Sequence, residues 1–343
     1  MPAFDRTLTS SSPSSDWEAW VESWCEVLQQ PPRGLSMRAS TGDFSGPAGT
    51  GAVSGPVLRH AVEALTRLSE ISETPQPEAR QHQPDAPKAD TLPSPPHALI
   101  FAPHPDDECI VGALPLRLHK EAGWQVTNVA VTLGSRQERR AERLAELQAA
   151  CDVLGFGLHL LSDEGFEQVK PEAAAARTPL WQEQVSQVAG LLRTVKPALV
   201  LVPHAGDGIP THIGVHALVS EALAQARINT VVAWTEFWAT QAAPNLLVET
   251  GVTDTARLVR ALSCHHGEIA RNPYHLRLPA WMADNVRRGG ELLAGPGETP
   301  PPFGFATLYR LSRWVDGEPQ ADLPPRMVSC EEPLDAEALL STH

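Results

Sequence analysis

The stretch ALIFAPHPDDECIVGA, Ala98 to Ala113, decides the reading of this sequence. Ala98–Ala102 is a short apolar run of strand character. It leads straight into His104, Asp106, Asp107 and Glu108, an imidazole and three carboxylates, before the chain turns apolar again. Outward from this point, apolar runs alternate with amphipathic ones. The pattern predicts strands over 98–102, 126–133, 158–161, 198–202 and 230–234, and helices over 112–122, 136–154, 179–194 and 212–227. Continuously apolar strands alternating with helices imply an α/β fold, a mostly parallel sheet with helices on both faces. In such sheets, ligands gather at the carboxyl ends of the strands. The loop after Ala102 is therefore expected beside the loop after Val202, which reads PHAGDGIPTHIGVH from Pro203 to His216.

Composition bounds what such a protein does. The chain has 343 residues and a formal net charge of −14. It lacks the positive excess that nucleic acid or an anionic membrane surface requires. No apolar run is long enough for a membrane span, and no secretory leader is visible at the start. The five cysteines are scattered and odd in number, which suits a reducing, cytoplasmic setting. Seven prolines between 75 and 96 mark an extended linker. The expected organisation is a short helical, partly disordered region over 1–74, the Pro-rich linker 75–96, a main domain 97–315 and a tail 316–343. Within the first region, apolar faces at helical spacing predict helices near 17–28 and 57–71.

Two strand ends thus deliver histidines and carboxylates to one crevice: His104, Asp106, Asp107 and Glu108 from the first, His204, Asp207, His212 and His216 from the second. Two neutral imidazoles and one carboxylate make a three-ligand metal site with a position left for water. A spare carboxylate beside such an ion can take the proton of that water. The βα alternation argues against the competing HxD…H facial triad of non-haem iron oxygenases. Arg136, Arg139, Arg140 and Arg143 form a basic cluster, either a solvated helix face or a grip for a sugar-linked anion. His216 packs or orients, and the pair His265-His266 is structural or catalytic.

Phe101–Glu108 resembles the (A)HPDDE signature of the PIG-L/LmbE-like N-deacetylases. Further similarity follows in order: Thr132-Leu133-Gly134, the Arg143–Leu147 helix with Ala150 and Leu154-Gly155, Pro210-Thr211-His212, Ala261–His265 and Phe305–Tyr309, so that it spans roughly 98–312. The resemblance implies a Rossmann-like layer and a hydrolase that removes an N-acetyl group from an N-acetylglucosamine-type conjugate. It implies His104, Asp107 and His212 as ligands of Zn2+, or of another divalent ion such as Fe2+. It implies Asp106 as general base and Arg143 as the substrate-holding residue. Relatives often carry His, Asp and an aromatic hydroxyl where this chain has Ile209, Thr211 and Asp207. His204, Asp207 and His216 are the candidates for the vacated catalytic roles. The expected partner is a small amino-sugar conjugate, with homo-oligomerisation open. An amidase for a thiol conjugate or antibiotic precursor, or a non-catalytic metal- or sugar-binding relative, are the alternatives.

Overall fold

The computed structural model describes residues 95–341. The predicted N-terminal helices and most of the linker lie outside the described residues. β1 (His97–Ala102) explains the rest of the architecture. Ala98, Ile100 and Ala102 point into one hydrophobic layer, and Leu99 and Phe101 into another. Side chains alternate across a strand, so a strand apolar at every position must be covered on both faces.

The cover comes from helices on both sides. After β1 the chain runs through α1 (Asp107–Ile110), α2 (Ala113–Ala122), β2 (Gln125–Ala130), α3 (Arg140–Leu154) and β3 (Gly157–Leu160). It continues through α4 (Pro171–Ala176), α5 (Pro179–Val195), β4 (Leu199–Pro203), α6 (Pro210–Ala226) and β5 (Thr230–Thr235). The second half adds β6 (Leu246–Thr250), α7 (Val252–Ser263), α8 (His266–Arg271), α9 (Tyr274–Gly289), β7 (Phe305–Val315), β8 (Glu318–Asp322), β9 (Arg326–Val328) and α10 (Ala336–Leu340). Residues of α2, α3, α7 and α9 fill one layer. Residues of α5 and α6 fill the other.

The sheet order is β3-β2-β1-β4-β5-β7-β6-β9, with β8 paired to β7. The first five strands are parallel. The strand order reverses between β1 and β4, which opens the crevice where doubly wound sheets bind ligands. The predicted α/β fold is therefore correct. β7 then enters antiparallel between β5 and β6. The predicted strand 126–133 stops earlier, at Ala130, and Thr132 bridges Gly165 instead.

One boundary moves. The stretch after 315 is no loose tail: β8 pairs β7, β9 pairs β6, and Leu323, Leu334 and Leu339 are buried in the core. A polar-looking sequence hid three apolar anchors spaced along it.

β7 also reaches the first strand-end loop. The amide of Ala113 donates to Thr307 Oγ1 at 3.3 Å, and that of Leu114 to the Tyr309 hydroxyl at 3.0 Å. The same hydroxyl donates to the carbonyl of Val111. Buried side chains of β7 thus satisfy the first amides of α2 that no helical carbonyl can reach. Gly112, at φ +72°, permits this approach, because a Cβ there would lie 2.3 Å from Thr307 Oγ1. Among the described residues, no helix is long and apolar enough to cross a membrane.

Candidate metal centre and active site

The first loop is held from two sides. In front, the His104 amide donates to Asp107 Oδ2 at 2.9 Å. Behind, the Asp106 amide donates to Glu108 Oε2 at 2.9 Å. Asp106 sits at φ +117°, a conformation that costs a non-glycine residue about 1–3 kcal/mol. That strain persists because Glu108 clamps it. Glu108 is itself fully buried, and its Oε1 lies 2.6 Å from His265 Nε2 and 3.2 Å from Cys109 Sγ. His265 Nε2–H is the donor, since Oε1 accepts there. Of the pair His265-His266, His265 is therefore a structural brace for the loop.

The second loop brings His212 to the same point. Pro210 opens α6, and His212 stands in its first turn, fully buried. His104 Nδ1 and His212 Nε2 are 3.2 Å apart. Asp107 Oδ2 lies 3.5 Å from the first and 3.4 Å from the second. Three lone-pair donors converge from two chain segments, and the donor set of two imidazoles and one carboxylate fits a divalent ion such as zinc. The electrostatics agree. Burial alone would depress the His212 pKa, but the carboxylates of Asp107 and Asp207 outweigh it and raise it. Burial likewise opposes ionisation of Asp107, yet His212 and His104 hold its pKa below the usual value. The pocket is built for positive charge.

Behind His212, Asp207 Oδ1 lies 3.6 Å from the outer nitrogen, Nδ1. The Asp207 carboxylate is fully buried and accepts the amides of Ile209 at 3.1 Å and Trp238 at 3.3 Å. A carboxylate in that place orients a ligating imidazole.

Asp207 does not line the cavity; it stands behind His212. His204 does not line the cavity either. Its Nδ1 accepts the Gly206 amide at 3.2 Å and its Nε2 donates to the Ala239 carbonyl at 2.9 Å. Both ring nitrogens are committed to holding the loop, and neither faces the crevice. His216 bonds the Pro203 carbonyl and packs on Trp234, as an orienting residue should.

A cavity of about 800 Å³ opens over His104 and Asp107, lined among others by Asp106, Arg143, Ile209, Trp238, Glu268 and Tyr274. Burial first, then the neighbouring carboxylates of Asp107 and Glu108, push the Asp106 pKa well up, against the pull of Arg143. Arg143 Nη2 donates to the Pro105 carbonyl at 3.0 Å, which fixes the guanidinium beside Asp106. The turn at Thr132-Leu133-Gly134 makes room for it. Thr132 Oγ1 donates to the Pro103 carbonyl and accepts the Gly134 amide, and a Cβ on Gly134 would lie 2.0 Å from Arg143 Nη1.

Three members of the basic cluster, Arg139, Arg140 and Arg143, are already paired with carboxylates. Glu268 pairs with Arg139, Arg143 and Arg271, and Arg140 pairs with Glu167 and Glu164. Glu268, Trp238 and Tyr274 were not legible as site residues. Trp238 follows β5, so the strand-end rule offered the one usable signal.

Residues 99–223 match the family model of GlcNAc-PI de-N-acetylase, PIG-L. Over these residues the chain is similar to that family. The matched stretch contains His104, Asp106, Asp107, Arg143 and His212, and the resemblance read from HPDDE is borne out. A 1D-myo-inositol 2-acetamido-2-deoxy-alpha-D-glucopyranoside deacetylase of Actinosynnema mirum is 30% identical over 167 residues. That match covers 40% of this chain and 58% of the relative. The deacetylase of the same name from Rhodococcus erythropolis is 28% identical over 209 residues, 53% of this chain and 68% of the relative. This chain thus spans little more than half of the first relative's length. A conserved protein of known structure from Thermus thermophilus is 22% identical, with a TM-score of 0.48, covering 62% of this chain and 92% of its own.

Proposed function

We propose that this chain is a metal-dependent N-deacetylase that hydrolyses the acetamide of an N-acetylglucosamine-type conjugate. The observation that carries the reading is the convergence of His104, Asp107 and His212, the first two lining a cavity with the buried Asp106 carboxylate alongside. These three residues would hold a divalent ion, zinc or another such as Fe2+. A bound ion of this kind supplies Lewis acidity, polarising the amide carbonyl and making water more acidic.

The chain's own groups do the rest. Asp106 takes a proton from the attacking water, a task suited to a carboxylate whose pKa burial has raised. The water oxygen bonds to the carbonyl carbon, the C–N bond breaks, and Asp106 returns the proton to the leaving amine. Arg143, fixed by Pro105, orients the substrate beside it. The four described cysteines are free thiols, which supports a reducing, cytoplasmic setting.

The test is metal analysis of the purified chain together with acetate and amine release from a panel. The panel comprises amino-sugar conjugates, an N-acetylated thiol conjugate and an acylated antibiotic precursor. Release from the amino sugars is expected. D106N should abolish it while keeping metal, and H212A should lose the metal. A metal-loaded protein that releases nothing from any amino sugar overturns the reading.

A further inference from the structure

Resting on that reading, we infer that Trp238 and Tyr274 form an aromatic platform against which the pyranose ring of a sugar stacks while its acetamide lies over the His104, Asp107 and His212 donors. Trp238 is 44% exposed, unusual for so large an apolar side chain, and it lines the same cavity as His104 and Asp107. Its ring meets that of Tyr274 in a T-shaped contact, centroids 5.5 Å apart. In an edge-to-face pair one ring braces the other, so Tyr274 steadies the exposed indole rather than extending its plane.

Trp238 is placed, not left over. Its backbone amide donates to Asp207 Oδ2, while Asp207 Oδ1 stands behind His212. One buried carboxylate therefore stands beside the His212 ring and holds the backbone that carries the platform. Gly208 completes the seat, since a Cβ there would come 3.3 Å from the Trp238 Cβ.

The same cavity supplies the polar half of sugar recognition. Arg143, Arg271 and Glu268 offer donors and an acceptor side by side, both guanidiniums paired with the one carboxylate. Sugar hydroxyls, which both donate and accept, match such a set. A pyranose has an apolar C–H face for the indole and a hydroxyl edge for this cluster. The inferred substrate is thus a glycoside around the acetamide.

The experiment measures binding, not turnover, on the full metal-loaded chain by saturation-transfer NMR and titration. The probes are methyl N-acetylglucosaminide and the acyclic control N-acetylethanolamine. W238A should weaken the glycoside about tenfold, and W238F should stay within about threefold. Neither change should move the acyclic probe. In the wild type, the C–H protons of one ring face should receive the strongest saturation. Unchanged glycoside affinity in W238A overturns the platform, and so does a wild type that binds no glycoside. Trp238-dependent binding without acetate release would instead overturn the deacetylase reading and leave the platform standing.

Discussion

Glu108 offers the sharpest test of how this site is held. Both its oxygens accept: Oε2 from the Asp106 amide, Oε1 from His265 Nε2–H. Glu108→Gln keeps the shape but leaves a single acceptor. With its carbonyl toward Asp106, the new NH2 faces His265, which must shift its proton to Nδ1. That nitrogen is buried and has no hydrogen-bond partner. One unsatisfied buried N–H costs about 1–3 kcal/mol. E108Q should therefore lose about that much stability while keeping Asp106 clamped and turnover near wild type. Glu108→Ala removes both bonds and leaves a cavity, for about 3–5 kcal/mol. It also frees Asp106 from its strained φ of +117°. A misplaced catalytic group costs about a hundredfold in rate, so E108A should lose turnover on that scale. Urea unfolding with matched kinetics on the best substrate of the panel measures both. If E108Q is as stable as wild type and E108A keeps full turnover, the clamp argument is wrong.

Other outcomes follow from the same geometry. Asp207→Asn should weaken zinc affinity about 10- to 100-fold, measured by chelator competition, because His212 loses its orienting carboxylate; an unchanged affinity would show that Asp207 serves the loop alone. His204→Ala should leave kcat/KM within about threefold, whereas a loss above a hundredfold would return His204 to catalysis. Metal affinity should fall as pH drops, and the fall should begin above the ordinary histidine value of 6.5, since the metal-free His212 holds its proton to higher pH and must release it to ligate. Asp107, with its pKa lowered, stays ionised through that window and adds nothing to the slope. Zinc titrations between about pH 6 and 8 check this, and a flat profile contradicts it.

The central strands were legible because they must be apolar on both faces, as in Ala98–Ala102 and Leu199–Val202. Helices with a clear apolar stripe were equally plain, as in α5. The metal donors were legible for a different reason, that strand ends at the reversal point of the sheet are where ligands bind. What escaped was direction. His204 and Asp207 are polar residues of one short loop, and only the turn between them shows that both point away from the cavity. Also hidden were partners brought from far along the chain. His265 reaches Glu108 from 157 residues away, and no local pattern marks such a pairing. The anchors of residues 316–341 escaped likewise, because isolated leucines among prolines and acids carry no period.

The bonds from β7 to the first loop have a consequence for how the protein comes into being. The loop bearing His104 to Glu108 leaves the ribosome early, yet Thr307 and Tyr309, which bond the first amides of the helix after it, are encoded about two hundred residues later. During synthesis, a nascent chain carries its acidic loop without these struts. A fragment ending at 223, where the family match stops, would own every metal donor and still lack the frame that aims them.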